Sequence, residues 1–66
     1  MYTNGQPLNH DQQFKDHIEH EVPVQVYFKN NHKDIGFVEY YTTSFIKVNN
    51  IYYNRAIYTF ISRPGY

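Results

Sequence analysis

The chain contains no cysteine and no tryptophan, and it has only three glycines and three prolines among its 66 residues. The absence of cysteine excludes a disulfide scaffold, a zinc site built on thiolates and a redox centre. Six Lys and Arg balance six Asp and Glu, which argues against a polycation that holds nucleic acid by bulk charge alone. Long apolar runs are absent too, and no stretch is typical of a signal peptide or a membrane span. We therefore expect a cytoplasmic location by default.

The composition is rich in aromatic side chains, with eight Tyr and five Phe. Tyrosine in this amount suits strands, interfaces and base stacking, because its ring is apolar and its hydroxyl is polar. A chain of 66 residues forms one small domain of marginal stability. Domains of this size usually need disulfides, a metal or partner subunits, so we expect assembly with copies of itself.

Three segments are predicted along the chain. Residues 1–8 contain Gly5 and Pro7 and few groups that could be buried, so they are interpreted as a flexible N-terminal arm. Residues 9–62 carry the periodic patterns and form the domain, and 63–66 are a C-terminal tail.

The pattern from Asn9 to Glu21 predicts one short amphipathic helix. Asn9 can cap it, and Gln12 three residues later completes a start similar to a capping box. Phe14 and Ile18, four residues apart, form a narrow apolar stripe.

The rest of the chain has the period of two that is typical of strands. Turns are predicted at Asn30-Asn31 and Asn49-Asn50, and Gly36 indicates a bulge or a sharp bend inside a strand. The predicted fold is mostly β with one N-terminal α-helix, as a five-stranded antiparallel SH3-like small barrel. Its strands are expected at about 22–28, 33–41, 44–48, 51–53 and 56–61.

Two motifs in this order resemble bacterial Hfq, the Sm-like RNA chaperone family. Val22–Tyr27 (VPVQVY) is similar to the first-strand signature of that family, and Tyr53–Thr59 (YNRAIYT) is similar to its late motif. Gly36 and Glu39 follow the first motif at the family's spacing, and the resemblance covers about 14–62. It implies a homohexameric ring of five-stranded Sm barrels that binds RNA and helps small regulatory RNAs anneal to messages.

The resemblance implies one RNA-binding face opposite the helix. There the family binds adenine-rich RNA with a tyrosine at the end of its first strand, and Tyr27 occupies that position. Asn31 stands where family members carry glycine in the following turn. The residues implied for this A-rich face are Tyr27, Asn30, Asn31, Lys33 and Thr59.

A second, helix-side pocket binds uridine-rich RNA in the family. Asn54 and Arg55 replace the lysine and histidine of the late motif, and Glu19-His20-Glu21 replaces an arginine-rich rim. We therefore expect an eroded pocket, with weak uridine binding and weak phosphate contacts. The residues implied for it are Gln12, Gln13, Ser44, Phe45, Asn54 and Arg55.

Structural roles compete with these binding roles. Tyr27 is either a platform for a base or a half-buried tyrosine of a strand. Arg55 either binds a phosphate or a base edge through its planar donors, or forms a structural bridge with Glu39 or Asp34.

Histidines on the predicted helix raise the possibility of a metal site. His10, His17 and His20 share roughly one face, and imidazoles at helical spacing can bind zinc. Solvated helix histidines explain the same pattern, and this is the expectation here, with no metal and no cofactor. No nucleophile elbow or phosphate-binding glycine loop is present, so an enzyme is not expected.

The sequence thus predicts an RNA-binding protein for adenine-rich single strands, with small regulatory RNAs, messages and copies of itself as partners. The alternative is an Sm-like oligomeric scaffold that does not bind RNA. A third hypothesis is a subunit that joins a more basic Hfq in mixed rings.

Overall fold

The computed structural model describes residues 2–66. Within that range the chain forms one helix and seven short strands. The prediction of a mostly β domain with one N-terminal helix is confirmed. The elements are β1 Pro7–Leu8, α1 Asp11–Glu19, β2 Val24–Phe28, β3 Asn31–Gly36, β4 Val38–Tyr41, β5 Phe45–Val48, β6 Ile51–Asn54 and β7 Thr59–Ser62.

The strands form two antiparallel sheets. The first has the spatial order β1-β7-β2-β3, and the second has the order β4-β5-β6. The strand predicted at 33–41 is divided at Phe37 into β3 and β4, and β1 was not predicted. The prediction of five strands is therefore wrong, and the strands of residues 2–66 do not close into a barrel.

Gly36 ends β3, where the chain leaves the first sheet. A Cβ atom there would lie 2.9 Å from Nδ2 of Asn49, so a larger residue would displace that side chain. The Asn49 amide donates to Oδ1 of Asp34 at 2.8 Å and to the carbonyl of Ile35 at 3.0 Å. Tyr53 donates to the other oxygen of Asp34 at 2.7 Å. Glycine at this position therefore permits the polar contacts that join β3 to the β5–β6 hairpin.

The β2–β3 and β5–β6 hairpin turns each contain two consecutive residues with positive φ, at Lys29–Asn30 (48° and 66°) and at Asn49–Asn50 (51° and 64°). This geometry matches the twist of antiparallel strands, and asparagine tolerates it better than most residues. The second turn lies where it was predicted. The first begins one residue earlier than Asn30-Asn31, because Asn31 already belongs to β3.

The helix is shorter than the predicted segment from residue 9 to residue 21. Oε1 of Gln13 accepts hydrogen bonds from the backbone N–H groups of Asn9 at 2.7 Å and His10 at 3.0 Å. His10 and Gln13 thus take the places predicted for Asn9 and Gln12. The ring of Phe14 is almost fully buried and meets Phe60 edge-on, with 5.5 Å between centroids. This contact packs the helix against the first sheet.

One hydrophobic core joins the helix and both sheets, including the short strand β1. Its members are Leu8, Phe14, Val24, Val26, Val38, Ile46, Val48, Tyr53 and Phe60.

The N-terminal segment packs on the domain, although residues 1–8 were predicted as a flexible arm. Met1 lies outside the described residues. In β1, Pro7 lies opposite Ile61 and Leu8 lies opposite Phe60 of β7. Leu8 is 3% exposed, so the segment contributes to the core.

A histidine and a serine are buried together between the helix and the first sheet. His17 and Ser62 are both 0% exposed. Nδ1 of His17 lies 2.7 Å from the carbonyl oxygen of Gln13, and Nε2 lies 2.7 Å from Oγ of Ser62. Because a carbonyl only accepts, Nδ1 carries the proton and Ser62 donates to Nε2. The prediction of a solvated histidine is wrong for His17, and burial lowers the pKa of its imidazole.

Candidate nucleic-acid interface

Tyr27 lies on the first sheet between two neighbouring strands. It is opposite Thr59 of β7 and His32 of β3, and its ring meets the His32 ring edge-on at 6.3 Å. The ring is half-buried. Tyr27, Asn30 and Thr59 border one open groove of about 260 Å³ together with Arg63. The structure therefore places three of the five residues predicted for the A-rich face in one groove.

Arg63 is a residue of this groove that the sequence analysis assigned to a tail. Its Nε donates to Oε1 of Gln25 at 2.8 Å, and its Nη1 donates to Oδ1 of Asn4 at 3.3 Å. Its Nη2 lies 3.4 Å from the hydroxyl of Tyr27. All three acceptors are neutral, so the guanidinium keeps its full charge beside the tyrosine. Tyr27, Asn30, Thr59 and Arg63 are called the Tyr27 face below.

A second groove adjoins the first across Arg63. It has a volume of about 400 Å³ and is bordered by Gln25, His32, Ile35 and the C-terminal residues. The amide of Gln25 and Nδ1 of His32 are 2.8 Å apart, which fixes both side chains at its edge. The two grooves form a continuous surface with amide, imidazole, phenol and guanidinium groups, all of which can bind a nucleic acid.

Lys33 does not belong to the Tyr27 face. The β2–β3 register shifts here, because Tyr27 lies opposite His32 while the preceding residue lies opposite Asp34. Lys33 is therefore the extra residue of a bulge. Its Nζ lies 5.9 Å from the centre of the Phe28 ring, and Phe28 points to the other side of β2 because successive side chains of a strand alternate.

Asn31 is also absent from the residues that border the Tyr27 groove, among those the structure describes. It lies opposite Phe28 at the start of β3. Lys29 adds a second ammonium 5.4 Å from the Phe28 ring, which packs on Tyr58 at 5.6 Å. Two lysines and two aromatic rings therefore share the side of β2 opposite Tyr27.

Among the described residues, some Lys and Arg side chains form ion pairs with carboxylates and others do not. Lys29, Lys33 and Arg63 have no carboxylate within 4.0 Å among residues 2–66. All three lie around β2, so a chain with no net charge presents locally unneutralised positive charge. The ion pairs that the structure contains are Lys15–Glu19, Lys47–Glu39 and Arg55–Asp11.

The residues predicted for the helix-side pocket are mostly engaged in local structure. Gln12 donates to Asp16 at 2.9 Å, and Gln13 caps the helix. Oδ1 of Asn54 accepts a hydrogen bond from the backbone N–H of Ala56 at 2.8 Å. Each of these contacts uses one of the two polar atoms of a side-chain amide.

Ser44 and Phe45 lie beside Asn54 and Arg55, because Phe45 of β5 pairs directly with Asn54 of β6. The carbonyl of Ser44 accepts a hydrogen bond from the backbone of Arg55 at 2.8 Å, and Phe45 meets Tyr52 edge-on at 6.4 Å. A cleft of about 490 Å³ lies beside the helix, and of the six predicted residues, all within the described chain, Arg55 alone borders it. The structure therefore brings Ser44, Phe45, Asn54 and Arg55 together, and it places Gln12 and Gln13 on the helix.

Arg55 ties the helix start to the second half of the chain. Its Nη1 donates to Oδ1 of Asp11 at 2.5 Å and to the carbonyl of Thr42 at 2.6 Å. Its Nη2 donates to the carbonyl of Asn9 at 2.9 Å, and the guanidinium lies 4.8 Å from the centre of the Phe14 ring. The side chain has a structural partner, which is neither Glu39 nor Asp34, the two partners predicted for it.

We expect Arg55→Lys to lower the free energy of unfolding by about 1–3 kcal/mol, because an ammonium cannot reproduce the planar fork that serves three acceptors. Urea unfolding followed by circular dichroism measures this change. Lys47→Met is the matched control, since its exposed pair with Glu39 at 3.9 Å should contribute less than about 1 kcal/mol. Equal stability of Arg55→Lys and the unmodified chain would contradict this structural role.

The described part of the chain contains neither a cluster of metal-binding side chains nor a helix that could span a membrane. Among residues 2–66, no three His, Cys, Asp or Glu side chains lie close enough to hold a metal ion. Within the same range, no helix has the length and apolarity needed to cross a membrane.

Comparison with known proteins gives no relative: no family model, curated protein or solved structure matches this chain.

Proposed function

We propose that this chain binds adenine-rich single-stranded RNA on the Tyr27 face. It would then serve as an RNA chaperone in post-transcriptional regulation, with small regulatory RNAs and messages as partners, as its resemblance to Hfq implies. The observation that carries this proposal is the guanidinium of Arg63, bound to neutral acceptors and 3.4 Å from the hydroxyl of Tyr27. An aromatic ring beside an unneutralised cation is the pairing that single-stranded nucleic acids require.

Each group of the Tyr27 face binds a different part of a nucleotide. A base stacks on the exposed part of the Tyr27 ring, and the adjoining phosphate pairs with Arg63. Asn30 and Thr59 are exposed and polar, so they can bond to the edge of the base. Single strands suit this arrangement because their bases are free to leave the stack and expose their edges.

Uridine-rich RNA is expected to bind weakly. Arg55 is held by three acceptors, and the predicted glutamines bond within or beside the helix. A uracil in this region would have to compete with those contacts.

Assembly into a ring is a further part of the proposal, implied by the resemblance. The outer edge of β6 supports it, because no other strand of residues 2–66 pairs there. An open edge with exposed Ile51 and Tyr52 is a template for pairing with a second chain.

Fluorescence anisotropy with labelled oligo-A and oligo-U tests the RNA proposal. We expect oligo-A to bind more tightly by a factor on the order of ten, or about 1.4 kcal/mol. The salt dependence should be shallow, because each phosphate contact contributes only about −0.7 to the logarithmic slope. Equal binding of the two RNAs, or binding of neither, would contradict the proposal.

A scaffold without RNA function is the second candidate, and the outer face of the second sheet favours it. Tyr40 and Tyr52 are 55% and 54% exposed, and Phe45 is 40% exposed. Exposed aromatic rings of this kind are typical of protein interfaces. Absence of binding to both RNAs by an assembled protein would favour this candidate.

A further inference from the structure

The outer edge of β7 is already occupied by the chain's own N-terminal segment. β2 pairs with one edge of β7, and β1 pairs with the other. The backbone of Ser62 continues this pairing, since its carbonyl accepts from Gly5 and its N–H donates to Gln6, both at 2.8 Å. A second chain cannot pair with this edge while residues 5–8 remain on it.

The backbone pairing between this segment and β7 is short. The ladder has two paired positions, and Pro7 has no N–H to donate. The remaining anchors are the two backbone hydrogen bonds to Ser62 and three side chains. Leu8 enters the core, the Tyr2 ring packs 4.4 Å from the His17 ring, and Oδ1 of Asn4 accepts from Arg63 at 3.3 Å. The Tyr2 hydroxyl donates to Asp16 at 2.7 Å, which raises the pKa of Tyr2 to about 12. The segment is therefore anchored mainly by Tyr2 and Leu8 at its two ends, with a short stretch of backbone pairing between them.

The outer edge of β6 offers the complementary surface. β6 has four residues, as β7 has, whereas β1 has two. Its sequence Ile51–Asn54 contains no charge and no proline, and Ile51 and Tyr52 are half exposed. β6 therefore lacks the charged residues and the proline that often protect a strand edge from pairing.

We propose that residues 2–8 act as a displaceable strap that competes with a second copy of this chain for the edge of β7. With the strap in place the chain stays separate. When the strap leaves, β6 of another copy pairs with β7 in a longer ladder, and repetition of this head-to-tail contact builds a ring or a filament. This inference rests on the proposal that the chain assembles with copies of itself. It adds that residues 2–8 control this assembly.

A disulfide that locks the strap tests this inference, and the absence of native cysteine makes the result unambiguous. Pro7→Cys with Ile61→Cys places two thiols at directly opposed positions of the β1–β7 ladder. The unmodified chain should pass from 8.0 kDa to multiples of that mass as its concentration rises in light scattering. The oxidised variant should remain at 8.0 kDa throughout, and a reductant should restore assembly. Ile61→Cys alone is the matched control.

A second variant releases the strap. Gly5→Pro removes the N–H that donates to Ser62 and is incompatible with the φ of 91° at this position. We expect it to assemble at a concentration lower by a factor on the order of ten, about 1.4 kcal/mol. Circular dichroism checks that it remains folded, and the disulfide comparison stands if it does not.

Two results would overturn the strap. The first is a locked variant that assembles as readily as the unmodified chain, and the second is an unmodified chain that stays at 8.0 kDa at every concentration. Oligo-A anisotropy on the unmodified chain separates either result from failure of the RNA proposal. The locked variant is not used for this measurement, because Ile61 borders the same groove as Tyr27. RNA binding without assembly rejects the strap alone, and assembly without RNA binding rejects the RNA proposal alone.

Discussion

Tyr27→Ala is expected to weaken binding of oligo-A by about 5- to 150-fold, since one base stacked on an aromatic side chain contributes roughly 1–3 kcal/mol. The change does not remove Arg63, so the loss of affinity measures base stacking rather than the pairing of Arg63 with a phosphate. Fluorescence anisotropy at fixed salt gives the two dissociation constants.

Two control variants make this result specific. Tyr27→Phe keeps the ring and removes only the hydroxyl, which is 3.4 Å from Arg63, so most of the affinity should remain. Tyr52→Ala removes a tyrosine that is 54% exposed on the other sheet, and oligo-A binding should not change. If Tyr27→Ala binds as tightly as the unmodified chain, or if Tyr52→Ala loses as much, Tyr27 is not the stacking platform.

Mild acid is expected to destabilise the folded chain through His17. Burial lowers the pKa of this imidazole, which is ordinarily 6.5. Below that pH the unfolded chain binds a proton that the folded chain does not, so stability is full above about pH 6.5 and is lost as the pH falls through the folded pKa. Urea unfolding at several values between about pH 7.5 and pH 5 measures the slope. The pKa values of Asp16 and Asp34 lie below their ordinary 3.8, so these groups stay ionised in this window.

Variants at both partners of the buried pair test this assignment. Ser62→Ala leaves Nε2 of His17 without a donor and should cost about 1–3 kcal/mol. His17→Leu with Ser62→Ala removes both partners, so the loss of stability with falling pH should flatten. His20→Gln changes an exposed histidine of the same region and should preserve the slope. A double variant that loses stability in acid as steeply as the unmodified chain would assign the effect to other groups.

The elements that the sequence predicts well are those whose pattern is local. Val24 and Val26 alternate with polar residues and are 0% exposed, and the Asn49–Asn50 turn depends only on its own two residues. β1 could not be predicted in this way. A strand of two residues is too short to show a hydrophobic period. Pro7 and Leu8 form a strand because they pair with Ile61 and Phe60, which lie about fifty positions further along the chain.

His17 shows a different limit. It follows Phe14 by three residues and precedes Ile18, so helical spacing alone places it on the buried face. Its polarity suggested exposure instead. The burial of His17 is tolerated because Ser62 donates a hydrogen bond to the second ring nitrogen. Ser62 lies 45 positions away, so the sequence around His17 gives no indication of this partner.

The candidate site was partly predictable for the same reason. Antiparallel pairing of β2 with β7 brings Tyr27 opposite Thr59, and the motifs that contain them identified both residues. Arg63 was missed because it sits in a Pro- and Gly-containing tail, while its partners Gln25, Tyr27 and Asn4 are 36 to 59 positions away. Whether these groups bind RNA stays a prediction.

The position of β7 has a consequence for the kinetics of folding. It is the last strand along residues 2–66, yet it lies between β1 and β2 in the sheet. The β2–β3 and β5–β6 hairpins close over two-residue turns and can form within microseconds. β7 must instead close a loop of about fifty residues against β1, and such distant contacts slow folding. Until it docks, β2 keeps an open edge, and the half-folded chain is at its most prone to aggregate.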